Sequence, residues 1–363
     1  MQGAEIAART LNQERMTEPC IVASWLMKGS YYSRVTGRNY WDNKDDVFLQ
    51  VLPKMGVNLC PQWAIPQDEA GNAEVIGKIG EGWSNRLGIL EAEEILPLID
   101  ALPEDEQVER DFDVDTYAEK YAISIKEHMA ATRGEVLFID SFGQADFMGP
   151  YNDWGYTAYL MAMALYPDHI QRYYHYTATL AYWQNVAIVE AVRKFGLVNF
   201  VYSGQDICTN RGPICSILNL EKLYFPELSR AIRPLIENDV RIIWHCDGNI
   251  MPILGHLIEL GIWGLQGFQE EYGVRYEQIV QRKSIWGKLL IIWGCVSVTT
   301  TLPFGSVEDV KTAIRRSYQF AGPGRGFCLA ATSSIMPEVP DENIETFYSY
   351  GNTFGREYLY ANL

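Results

Sequence analysis

Val240-Arg241-Ile242-Ile243-Trp244-His245-Cys246-Asp247-Gly248-Asn249 is the stretch on which the fold turns. An apolar run rich in β-branched and aromatic residues ends in His-x-Asp, passes through Gly-Asn, and enters a helical pattern over residues 250–260. That order places ligand-type side chains at the carboxyl end of a strand, where a β/α barrel keeps its chemistry. Side chains alternate along a strand, so His245 and Asp247 share one face and Cys246 points to the other. An imidazole and a carboxylate converging in this way suit Zn²⁺ or a general acid-base pair. Plainer uses exist for the same residues. His245 also suits a core position bonded to backbone, and Asp247-Gly248-Asn249 also suits a turn and helix N-cap.

The pattern repeats outward from this segment. Strand-like apolar runs fall at residues 20–26, 57–63, 136–139, 198–202, 241–244, 264–268, 289–293 and 326–330, with helical periodicity over 114–131, 169–194, 220–238 and 307–321. Eight strands with intervening helices predict a (β/α)8 TIM barrel. A doubly wound sheet would want a glycine-rich loop after its first strand, and Gly29-Ser30-Tyr31-Tyr32 is no dinucleotide fingerprint. Residues 1–17 are then an N-terminal extension and 18–363 a single catalytic barrel domain. The least regular stretch, about 64–112, is interrupted by Gly71-Asn72-Ala73 and Gly80-Glu81-Gly82 and carries the acidic loop Pro103-Glu104-Asp105-Glu106. It reads as an excursion from the barrel that could serve as a lid.

A barrel demands its functional groups at strand carboxyl ends. Asp140 follows the third run, Gln205 and Asp206 the fourth, His245 and Asp247 the fifth; Gln269, Glu270 and Glu271 follow the sixth, Cys295 and Ser297 the seventh, and Ser333 the eighth. Each has an ordinary alternative. Glu270-Glu271 suits a solvated helix start, Asp206 a loop before Gly212-Pro213, and Cys295 and Cys328 apolar packing. Tyr31-Tyr32 and Tyr40-Trp41 suit either a core or a pocket for a flat substrate.

Composition narrows the class. With 48% hydrophobic and 21% charged residues, the chain reads as a globular enzyme. A formal charge of −16 argues against a nucleic-acid partner, which needs clustered Lys and Arg to neutralise phosphates. No apolar run approaches the roughly 18 residues of a membrane span. The start Met1-Gln2-Gly3-Ala4-Glu5 lacks a basic segment leading into an apolar one, so a cytoplasmic protein is expected. Seven cysteines at irregular spacings without Cys-x-x-Cys fit a reducing compartment.

Ser203-Gly204-Gln205-Asp206 with Gly212-Pro213, then Tyr224-Phe225-Pro226, His245-x-Asp247-Gly248-Asn249, Gly324-Arg325-Gly326-Phe327 and Pro340-Asp341-Glu342-Asn343-Ile344 resemble the uroporphyrinogen decarboxylase superfamily. The resemblance runs from about residue 142 onward and implies a (β/α)8 barrel. The superfamily holds cofactor-free porphyrinogen decarboxylases and zinc methyltransferases that exchange methyl groups with a corrinoid on a separate protein. The decarboxylases carry an Arg-Gln-Ala-Gly-Arg-Tyr type segment after the first strand. Here Met27-Lys28-Gly29-Ser30-Tyr31-Tyr32-Ser33-Arg34 lacks that arginine pair, so the chain looks more like the methyltransferase branch.

That branch binds zinc through His-x-Cys, a later Cys and in some members a Glu between them. The resemblance places His245 at the His, Asp247 at the first Cys, Glu270 or Glu271 near the Glu, and Ser333 at the second Cys. Cys295, at an adjacent strand end, is a further candidate ligand. Losing both thiolates removes the soft donors that suit a thiol substrate, and a His-carboxylate set is better matched to an oxygen-bearing one. The expected activity is therefore removal of a methyl group from an oxygen-bearing, methoxylated aromatic donor. Asp206, Gln205 and His245 would do orienting or acid-base work. No Asp-x-His-x-x-Gly segment is present to hold cobalamin, so the resemblance implies a corrinoid delivered by a transiently docked partner protein. Two alternatives stand: a cofactor-free decarboxylase with Asp206 and His245 as its acid-base pair, and a non-catalytic binding barrel.

Overall fold

The structure is a computed structural model, and it describes residues 1–70 and 85–362. Its frame is eight parallel strands: β1 (Cys20–Ile21), β2 (Leu59–Pro61), β3 (Leu137–Ile139), β4 (Phe200–Gly204), β5 (Arg241–His245), β6 (Gly264–Gln266), β7 (Ile291–Val296) and β8 (Phe327–Ala331). Hydrogen bonding orders six of them β1-β8-β7-β6-β5-β4, while β2 pairs with β3. Two junctions close the ring. Val22 bridges Leu59, with Ala23 N–H donating to Leu59 O at 3.0 Å, and Tyr202 N–H donates to Asp140 O at 3.1 Å. The chain is a TIM barrel, as its alternating pattern predicts.

Alternation sorts the core into two layers. Ile243, Tyr202, Ile291, Trp293, Leu59 and Leu137 fill the barrel interior, and Ile242, Trp244, Val201, Ile292 and Leu265 pack outward against the helices. The N-terminal residues do more than extend the chain. Ala4, Ala7 and Leu11 of the helix Gly3–Leu11 join the interior cluster. Ala4 N–H bonds Gly134 O and Gln13 Nε2 bonds Leu289 O, so this helix closes the amino-terminal end of the barrel.

Helix boundaries follow their caps. Val114–Ala131 begins after Asp113, whose carboxylate accepts from Thr116 N, and Val307–Ala321 begins with the reciprocal pair Ser306/Asp309. Pro167–Phe195 starts on a proline and stops at Gly196 in the left-handed region. The pattern over 220–238 is not one regular helix. Residues Leu220–Tyr224 form a π turn before the α-helix Phe225–Glu237, because Pro226 has no N–H to continue the ladder.

Between β2 and β3 the excursion holds the short helices Leu96–Asp100 and Asp105–Asp111. Ile89, Ile95 and Ile99 are buried in the core cluster that surrounds the barrel. The glycine breaks at 71–73 and 80–82, on which a lid would depend, lie outside the described residues. A second excursion, between β3 and β4, was not anticipated. It carries the helices Gly149–Asp153 and Tyr156–Leu165. Phe147, Tyr151, Trp154, Tyr159, Tyr174 and Tyr224 are buried together against them. Among the described residues no helix is long and apolar enough to cross a membrane.

Candidate functional site

β4 and β5 bring the chemistry together because Gly204 lies opposite His245 in their ladder. A Cβ at 204 would sit 1.7 Å from His245 O, so only glycine allows this approach. Past β5 the chain turns at Gly248 with φ +84°, and Asn249 N–H donates to Thr209 O of the hairpin Cys208–Thr209/Gly212–Pro213. Asp206 sits between β4 and that hairpin, and its Oδ1 accepts the Asp247 N–H at 2.7 Å. His245, Asp247 and Asp206 thus converge at the carboxyl mouth of the barrel, while Cys246 turns away into the outer core.

His245 is 8% exposed. Its Nε2 lies 3.7 Å from Asp206 Oδ1 and 3.8 Å from Asp247 Oδ1. One ligand atom from each of the three residues falls within 4.8 Å of the others. Donors of a tetrahedral ion bound at roughly 2.0–2.2 Å lie about 3.4 Å apart, so the group is close to the spacing a small divalent cation needs. Ser333 Oγ donates to Asp247 Oδ2 at 2.9 Å and orients that carboxylate. Asp247 Oδ1 is sealed from solvent and accepts no hydrogen bond, an orphaned charge that a bound cation would satisfy. Burial pushes the Asp247 carboxyl up to about 6, opposed by His245 and reinforced by Asp206. The residues fit a divalent metal with nitrogen and oxygen donors.

Backbone conformation marks the same end of the barrel. Of the seven described non-glycine residues with positive φ, Ser24, Trp25, Gln62 and Phe268 all lie just past strand carboxyl ends. Such conformations cost about 1–3 kcal/mol each and collect at functional sites. The Trp25 ring stands perpendicular to His245 with centroids 5.1 Å apart and packs with Met27, Ala64 and Met336, making an apolar wall beside the imidazole.

Other residues expected here are elsewhere or otherwise engaged. Glu270 is held by both terminal nitrogens of Arg316, with Nη2 donating to Oε1 at 2.8 Å. It lies outside the Asp206-His245-Asp247 group. Glu271 accepts from Ser297 Oγ at 3.1 Å and from Thr299 Oγ1; its charge reaches Asp247, but it does not join the group either. Cys295 faces the helix Val307–Ala321, 3.6 Å from Ser317 Oγ, where burial pushes its thiol up to about 12, and it lies outside the Asp206-His245-Asp247 group. Gln205 Oε1 accepts from the Phe147 and Met148 N–H groups at 2.9 Å each, which anchors the second excursion. Gln269 Oε1 accepts from Gly248 N, and Asp140 Oδ1 from Ser141 N. Tyr32 and Tyr40 are core residues whose hydroxyls bond Leu26 O and Pro66 O.

These placements give a direct expectation. If the Asp206-His245-Asp247 group holds zinc, Glu270→Gln should leave the zinc content unchanged, since its carboxylate belongs to Arg316; elemental analysis showing zinc lost from a folded Glu270→Gln protein would put Glu270 back among the ligands. Two residues of the site escaped sequence reasoning, Trp25 and Gln266. Gln266 had a signal: it is the single amide in the otherwise apolar Gly264-Leu265-Gln266-Gly267-Phe268.

No protein-family model matches the chain, and no curated protein is significantly similar to it. Among solved structures it is similar to a methyltransferase from Methanosarcina mazei, with a TM-score of 0.66, 13% identity and 99% of each chain covered. At that identity the likeness establishes the fold.

Proposed function

We propose that the chain is a metal-dependent methyltransferase that takes a methyl group from an oxygen-bearing donor and passes it to the Co(I) of a corrinoid carried by a partner protein. The observation that carries the reading is the Asp206-His245-Asp247 group at the barrel mouth. The resemblance to the uroporphyrinogen decarboxylase superfamily and the likeness to the Methanosarcina methyltransferase support the same direction. Donors of this type suit Zn²⁺ without a thiolate, and two carboxylates balance the ion's charge. When bound, the ion supplies Lewis acidity to the donor's oxygen, which keeps the electron pair of the broken C–O bond.

The chain's own residues do the rest. Asp206 ties the turn at Asp247 to β4, Ser333 orients Asp247, and Trp25, backed by the buried Met27 and Ala64, offers the flat apolar surface that an aromatic methyl ether would rest on. Zinc-loaded protein given methoxylated aromatics and Co(I) cobalamin is expected to form methylcobalamin, read from its absorbance, and to stop when the metal is chelated. Zinc-loaded protein that demethylates no such donor, alongside chelator-resistant release of CO₂ from a carboxylated substrate, would replace this reading with the decarboxylase.

A further inference from the structure

We infer that Gln266 is a positioning residue that decides which ring nitrogen of His245 faces the carboxylate pair. Gln266 is 4% exposed and lies at the end of β6. Its Nε2 donates to Ala331 O at 2.8 Å and to Thr332 O at 3.1 Å, both at the end of β8. Its Oε1 accepts from Tyr202 O–H at 2.9 Å and meets His245 Nδ1.

The amide can sit only this way round. Reversing it would set Oε1 against two carbonyl oxygens in a buried space and leave both of them without a donor. With Oε1 facing the imidazole, the contact is a hydrogen bond only if Nδ1 carries the proton. Nε2 is then the nitrogen left to bind a cation between Asp206 and Asp247. This arrangement has to be enforced. Two carboxylate oxygens beside Nε2 attract a proton to that nitrogen, and a tautomer protonated there with Nδ1 bare would place N–H where the cation belongs. Gln266 excludes that tautomer, because a bare Nδ1 would face the amide oxygen lone pair to lone pair.

The affinity arm of the test rests on the metal reading proposed above; the tautomer arm does not. In metal-free wild type, ¹⁵N-resolved NMR of His245 should show the neutral ring with the proton on Nδ1 and Nε2 bare. A neutral ring with Nδ1 bare overturns the inference whatever the metal does. Gln266→Met keeps the length without the hydrogen bonds and should weaken zinc binding by about 10–100-fold with loss of the Nδ1–H signature. Gln266→Glu, whose neutral carboxyl can donate to Ala331 O and accept from Nδ1, should stay within about threefold of wild type. A folded Gln266→Met protein with wild-type affinity and an unchanged signature overturns the inference. If Gln266→Met does not fold, the wild-type spectrum still decides. Wild type that binds no zinc but keeps Nδ1 protonated removes the metal reading and leaves Gln266 its role.

Discussion

His245→Ala should strip the protein of zinc. Zinc sites with four protein ligands are worth roughly 10–16 kcal/mol, so one donor of a three-residue set contributes about 3–4 kcal/mol, a few hundred-fold or more in Kd. The loss here should sit at the upper end, because the remaining pair, Asp206 and Asp247, is held together through Oδ1 of Asp206 bonding the Asp247 N–H and offers only carboxylate oxygen. Equilibration against chelator-buffered zinc followed by elemental analysis should show about one zinc per chain in wild type, as the one such group among the described residues predicts, and almost none in the variant. Thermal melting of both metal-free proteins separates loss of the ligand from loss of the fold. A variant that melts like wild type and still retains its zinc would remove His245 from the metal site and leave it as an acid-base residue.

Why His245 and Asp247 were legible in the sequence, and Gln266 was not, comes down to how far apart the partners lie along the chain. His245 and Asp247 are two residues apart at one strand end, and alternation alone puts them on one face. Asp206 was legible as a strand-end carboxylate because β4 and β5 are neighbours in the ring. Glu270, Glu271 and Cys295 satisfied the same rule, yet position after a strand does not fix direction. Glu270 is drawn to Arg316 and Cys295 to Ser317, both on a helix whose approach no local pattern encodes. Gln266 stands out locally as one amide in an apolar run, but its role was not legible for the converse reason: that role lies in Ala331, Thr332, Tyr202 and His245, contributed by three other strands or their ends. The barrel itself was legible because its strands read as short apolar runs and four of its long helices show a helical period, although the helix Asp341–Ala361 did not stand out in this way. The second excursion was not, because its buried tyrosines and phenylalanine follow neither period.

Gly204→Ala carries the largest expected effect on the fold. The added Cβ would lie 1.7 Å from His245 O, 2.5 Å from its carbonyl carbon and 2.7 Å from its nitrogen. All three are backbone atoms of the neighbouring strand, so no side chain can rotate out of the way. β4 and β5 must separate at their carboxyl ends, which breaks the Gly204-His245 pairing and pulls Asp206 from the Asp247 N–H. A cost of about 3–5 kcal/mol is expected, at the top of the range for single substitutions, since the strain falls on a ladder rather than a rotamer. Gly255→Ala is the matched control: it lies in the helix Leu254–Glu259 with nothing within 4 Å of the added Cβ. Helix propensity and the loss of unfolded-state freedom should make that change stabilising by about 0.5–1 kcal/mol. Urea denaturation distinguishes the two directly. The variants should also differ in zinc, because His245 is carried on the strand that Gly204→Ala displaces: the destabilised protein loses metal even where it remains folded, and the control keeps it. A Gly204→Ala protein as stable as wild type would mean that β4 and β5 do not meet in this register, and the convergence of Asp206, His245 and Asp247 would fall with it.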